Sequence, residues 1–223
     1  MKQSLSINRI SFLQVNDKGV VHCGSNQDWY RQEEQRLKGY GPSVAANILF
    51  YLQRKKNVDC CGTEKADLLA CMEYVWRYVT PEWNGIPSTE LFCSKLDCYA
   101  KSCGKQFDYH ILNINPARKP VLSAVVNFLR VGLQRDLPIA FLNLCNGAEQ
   151  QLEPWHWVTI SGLDYDTYNQ YVIAQICDGG IVKRIDLALW LHTTRQGGGF
   201  VFFYDTEIEI FSERLTIKSQ VLK

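Results

Sequence analysis

The sequence predicts an α+β fold, with amphipathic helices in its first half and short β-rich runs in its second. Apolar residues recur at helical three- and four-residue spacing up to about residue 134. Past Asp136 the period changes, and runs over 137–145, 155–162, 171–177, 181–185 and 200–204 are β-branched or aromatic and broken by Asp, Asn and Gly. Helices followed by antiparallel strands define the α+β class. A chain of 223 residues, 46% apolar and 12% aromatic, is large enough to bury a full core. We therefore expect one domain over 1–223, with a mainly helical part over 24–136 and a mainly antiparallel β part over 137–211.

A short, extended N-terminal segment leads to a Gly24-Ser25-Asn26 loop, and the polar run 29–38 has the composition of an exposed helix. Pro42 suits a first helical turn, and Val44, Ile48, Leu49 and Leu52 mark one apolar face to about residue 53. Thr63 or a neighbour opens the next helix, which keeps its rhythm to Val79 and stops at Thr80-Pro81. Ser88 is placed to cap a third helix that ends at Gly104, with Glu90 near its positive pole. A strand over 109–114 and a helix from Pro120 to about residue 134 complete the first half. In the second half a turn at Asp164-Tyr165-Asp166 is expected to join two antiparallel strands, and 186–191 is a late helix.

Composition narrows the function classes. With 24 basic and 23 acidic residues the net charge is +1, so no electrostatic footprint for nucleic acid appears. The basic cluster Arg54-Lys55-Lys56 reads as a solvated helix end. No stretch approaches the ~20 apolar residues of a membrane span, and the N-terminus lacks the apolar core of an export signal. A cytoplasmic location follows as the expectation, and there the nine cysteines stay mostly as thiols. Cys60 and Cys61 are adjacent, while Cys93, Cys98 and Cys103 recur every five residues, about 140° apart around a helix. Zinc ligands come in pairs two to four residues apart, so no metal and no cofactor is expected.

Two segments carry chemistry. In Pro154-Trp155-His156-Trp157-Val158-Thr159-Ile160-Ser161-Gly162, alternation puts His156, Val158 and Ile160 on one side of a strand. His156 is either a packed, hydrogen-bonded residue or a base. The next strand ends at Asp178 before Gly179-Gly180, where a carboxylate either forms the turn or orients the imidazole. The other segment is Gly39-Tyr40-Gly41-Pro42-Ser43-Val44-Ala45-Ala46-Asn47-Ile48-Leu49. It resembles the Gly-Cys-Gly-Pro-x-x-Ala-Ala-x-x-Leu start of the central helix in bacterial papain-like cysteine peptidases related to the bacteriocin-processing enzymes. The His156 strand is similar to the His-Trp-Val-x-Ile-x-Gly strand that carries their base. Their late helix and closing strand look like 186–191 and 197–204.

This resemblance implies a papain-like fold, a helical half packed on an antiparallel sheet or partial barrel, with His156 as base and Asp178 as its orienting partner. Tyr40 stands where the family has its nucleophilic cysteine. A cysteine at a helix N-terminus is acidified by unpaired backbone N–H groups, whereas a phenol starts near pKa ~10 and stays neutral at pH 7. The family's oxyanion glutamine sits six residues before the nucleophile. Glu34 is there in this chain, with Gln35 one step nearer and Gln32 two steps farther, so Gln35 is the possible oxyanion donor. The expected function is an inactive homologue that binds a peptide or small amide in the inherited cleft. The alternatives are an active amidase or acyl transferase using a relocated thiol, Cys23 or Cys177, and a structural protein whose cleft is closed. Strand alternation turns Cys177 away from the site.

Overall fold

The computed structural model describes residues 1–56 and 62–206. Strand β1 (Gln3–Ser6) is followed by a short 3₁₀ turn and the hairpin β2 (Gln14–Asp17) and β3 (Val20–Cys23). The hairpin closes on Lys18 and Gly19, both at positive φ, as a two-residue turn matching strand twist requires. Helix α1 (Glu33–Lys38) is boxed at its start by Gln32 and Gln35. Gly39 separates it from α2 (Tyr40–Lys56); a Cβ at Gly39 would lie 2.3 Å from the Gln35 carbonyl oxygen. That missing Cβ lets α2 start immediately after α1.

Helix α2 is buried along nearly its whole length and runs three residues past the expected end. The reason corrects the reading of the basic cluster. Arg54 is 5% exposed, and its guanidinium donates to the carbonyls of Phe12 (3.0 Å) and Gln14 (2.9 Å). Lys55 pairs with Asp136 at 3.2 Å. Arg54 is thus built into the N-terminal segment instead of facing water, while Lys56 stays exposed as expected. Helix α3 (Lys65–Trp76) is boxed by Glu64 and Asp67. It stops short of Val79, and the Thr80 hydroxyl donates to the Trp76 carbonyl.

Helix α4 (Thr89–Ser102) has the expected Ser88 cap, which accepts from the Leu91 N–H at 3.1 Å. Strand β4 (Phe107–Ile114) follows, then α5 (Leu122–Gln134) and β5 (Ile139–Asn143). The remaining elements are β6 (His156–Asp166), β7 (Tyr171–Asp178), β8 (Ile181–Asp186), α6 (Leu187–Thr193) and β9 (Gly198–Asp205). The fold is α+β. Its main sheet has the order β4-β9-β5-β6-β7-β8 with every pair antiparallel, and β1 joins β6 beside β5. This sheet is open and does not close into a barrel. One buried cluster includes Ile48, Met72 and Phe92 from the helical half and Val158, Ile176 and Phe200 from the strands.

The turn expected at 164–166 is corrected: β6 continues through Asp166, and the chain reverses over Thr167–Gln170. Both aspartates are tolerated within the strand because neighbouring elements satisfy them. Asp164 takes the Ser4 hydroxyl at 2.5 Å and the Arg184 guanidinium at 2.6 Å, while Asp166 faces the N-terminal ammonium at 3.1 Å. Cys60 and Cys61 lie outside the described residues. No helix among the described residues is long and apolar enough to cross a membrane.

Candidate functional site

The site forms where three element ends meet. Tyr40 opens α2, His156 opens β6, and Asp178 closes β7, the antiparallel neighbour of β6. The Tyr40 and His156 rings lie with centroids 3.8 Å apart at an interplanar angle of 60°. His156 is 2% exposed, and its Nε2 is 2.8 Å from Asp178 Oδ1. The other carboxylate oxygen, Oδ2, accepts from Lys183 Nζ at 2.6 Å. Lys183 comes from β8, opposite Ile176, and sequence reasoning missed it because it is contributed by the next hairpin.

The electrostatics fix the protonation pattern. Burial pushes the Asp178 carboxyl up, but hydrogen bonds and charge from His156 and Lys183 outweigh this and hold it below the ordinary carboxylate range. An ionised carboxylate only accepts, so Nε2 carries the imidazole proton. The other ring nitrogen, Nδ1, is buried with no hydrogen-bond partner. The Tyr40 phenol is pushed up, first by burial and then by the nearby carboxylates of Glu153 and Asp178, with Gln27 opposing. An imidazole held against a carboxylate therefore stands beside a phenol that stays protonated.

Because the folded Asp178 carboxyl titrates below its unfolded value, its stabilising contribution is complete above about pH 4. It is lost as pH falls through the lower folded value. Thermal melts across pH 2–7 are expected to show the Tm advantage of the natural protein over Asp178→Asn at neutral pH, shrinking below about pH 4. A difference that stays constant with pH would contradict the pairing.

A cavity of about 230 Å³ opens beside these residues, with walls that include Gln27, Asn47, Glu153 and Cys177. Asn47, from α2, accepts from the Ser25 N–H at 2.7 Å and donates to Thr159 at 3.0 Å, fixing the Ser25–Gln27 loop against β6. The expected oxyanion residue is elsewhere. Gln35 is 3% exposed, donates to Glu73 at 2.9 Å and accepts from the Gln32 N–H at 3.1 Å. It and Gln32 line a different cavity, against Glu73 and Trp76. Glu34 is on the surface, ion-paired with Lys38 at 3.3 Å.

The glutamine that does reach the cleft is Gln27, thirteen positions before Tyr40, on the short turn Gln27–Trp29. Its Nε2 donates to the Arg36 carbonyl, and its Oε1 is buried without a partner. Counting back from Tyr40 fails because α1 intervenes and turns its own glutamines toward α3. The Gly24-Ser25-Asn26 loop signal lay next to Gln27, with nothing in the sequence to aim it inward.

The two thiols considered as substitute nucleophiles meet each other. Cys23 ends β3, and its sulfur is 2.8 Å from that of Cys177. Cys177 is among the residues bordering the cavity, with its sulfur against Cys23 and 2% exposed. Neither thiol is at a helix start. The Cys23 contact and burial push the Cys177 thiol well up. Among the described residues no group of three or more His, Cys, Asp or Glu side chains is placed to hold a metal ion.

Compared with known proteins, the chain matches no protein-family model and no curated protein. What can be said of its class comes from its fold and site: an α+β protein with an oriented His–Asp pair facing a tyrosine at a helix start.

Proposed function

We propose that the chain is a papain-like cysteine peptidase homologue that has lost its attacking atom and uses the remaining cleft to bind a peptide or small amide. The observation that carries this is the Tyr40–His156 ring contact at 3.8 Å, at the start of the long buried helix and beside the His156–Asp178 pair. Papain-like chemistry needs a base, an orienting group and a thiol in this arrangement. Two of the three are present, and a protonated phenol fills the third position. A phenol held neutral donates a hydrogen bond but does not attack a carbonyl at pH 7. The polar walls of the cavity, which include Gln27, Asn47 and Glu153, suit the N–H and C=O groups of an amide. The cavity volume favours a small amide or one peptide end over an extended chain.

The test is a panel of short peptides and small carboxamides, followed by mass spectrometry and by NMR of the His156 imidazole. Every compound is expected to remain intact, and at least one to shift the imidazole signals. Cleavage of any compound would overturn the loss of chemistry. A silent imidazole across the panel would overturn ligand binding and favour a closed, structural cleft.

A further inference from the structure

We propose that Cys23 and Cys177 are a redox-active pair beneath the cleft, closed to a disulfide by a hydroperoxide and reopened by a thiol reductant, and that closure changes the setting of Asp178. The pairing does not depend on the ligand reading above; its consequence concerns the same cleft.

The two sulfurs come from strands 154 positions apart in sequence and lie 2.8 Å from each other, buried at 6% and 2% exposure. A disulfide bond is about 2.05 Å long, so roughly 0.8 Å of approach separates the dithiol from its oxidised form. The backbone is built for this proximity. The Cys23 N–H donates to the Gly180 carbonyl at 2.8 Å. Gly24, at φ +74°, has no Cβ, and one placed there would lie 3.1 Å from the Cys177 Cβ. Any larger residue at Gly24 would press the two strands apart. Cys177 borders the cavity and its sulfur meets that of Cys23, so a small peroxide in the cleft approaches the pair from the Cys177 side.

The chemistry balances without another component. Hydrogen bonding from Cys177 lowers the Cys23 thiol, which favours thiolate on that sulfur. The thiolate attacks one peroxide oxygen, the O–O bond breaks, and a sulfenic acid and hydroxide form. The Cys177 sulfur then displaces the sulfenic hydroxyl, forming the S–S bond, while its proton leaves as part of water. Two thiols lose two electrons, and hydrogen peroxide becomes two waters. Asp178 follows Cys177 directly, and Gly179 and Gly180, both at positive φ, lie between it and β8. Tightening Cys177 onto β3 pulls on the strand end that holds the carboxylate against His156.

The experiment treats the full chain with hydrogen peroxide, alkylates the remaining thiols, and maps peptides without reduction. The expected product is lighter by two hydrogens, contains one peptide joining Cys23 to Cys177, and reverts with dithiothreitol. NMR of the His156 imidazole is expected to shift on oxidation and return on reduction. Recovering Cys23 and Cys177 both alkylated, or oxidised separately, after other thiols have reacted would overturn the pair. A Cys23–Cys177 link that leaves the His156 signals unmoved would overturn the coupling to Asp178. Cys23→Ser is expected to abolish the link; if that variant does not fold, mapping of the natural chain decides alone.

Discussion

Replacing Tyr40 with cysteine is expected to create a thiol that alkylates at pH 7 about ten times faster than the exposed Cys98 of the same chain. An ordinary thiol of pKa ~8.5 is only a few per cent ionised at that pH. At position 40 the sulfur would sit in the first turn of a seventeen-residue helix, where the macrodipole and backbone N–H groups favour thiolate. It would also face a buried imidazole whose Nδ1 is unpartnered and whose Nε2–H is held by Asp178. A thiol ionised largely through these effects gains up to about thirtyfold in thiolate, and part of that is returned as lower intrinsic nucleophilicity. Competitive labelling with iodoacetamide and peptide quantification measures the ratio. Labelling at position 40 is expected to persist below pH 7, where an ordinary thiol loses reactivity about tenfold per unit. Adding His156→Ala is expected to remove most of the advantage. A position-40 thiol no faster than Cys98 would show that this helix end does not activate sulfur.

The second large effect concerns stability. Asp136→Ala is expected to cost about 4 kcal/mol, or roughly 8–16 °C in Tm for a chain of this size. Asp136 is 9% exposed and lies at φ +60°, just beyond α5. It accepts from the Tyr51 hydroxyl and from the Asn8 N–H at 2.7 Å, and pairs with Lys55 at 3.2 Å. These contacts join α2, the segment after β1 and the end of α5 through one carboxylate. Alanine would leave the fully buried Tyr51 hydroxyl and a backbone N–H without an acceptor, and the left-handed backbone suits alanine poorly. Asp136→Asn keeps an acceptor and tolerates the same backbone, so about half the loss is expected. Thermal unfolding followed by circular dichroism measures both. A shift under about 2 °C for the alanine variant would show that the carboxylate is not the junction described.

The fold class was legible because it depends on local rules, whereas the meeting of Tyr40, His156 and Asp178 was expected from the resemblance. Helical spacing and the Ser88 cap placed α2 to α5, and short β-branched or aromatic runs placed β5 to β9. Proline in a first turn located the start of α2. Strand alternation brought His156 to a strand opening and Asp178 to the end of its neighbour. The failures are non-local. Asp164 and Asp166 read as turn formers because the sequence does not show Ser4, Arg184 or the chain terminus waiting across the sheet. Arg54 read as solvated because its acceptors are carbonyls about forty residues earlier. Gln35 was chosen by counting, but α1 occupies the space that counting assumes is a loop, and Gln27 reaches the cleft instead.

The most direct test is to incubate the unmodified protein, freshly reduced, with a peptidyl electrophile aimed at cysteine peptidases and to map any adduct by mass spectrometry. No covalent adduct is expected on Tyr40, Cys177 or any other residue bordering the cleft, nor on the buried Cys23, with labelling confined to exposed thiols such as Cys98 and Cys103. A stoichiometric adduct on a cleft residue, lost in His156→Ala, would show that the site still attacks, and would contradict the claim that Tyr40 has replaced its chemistry.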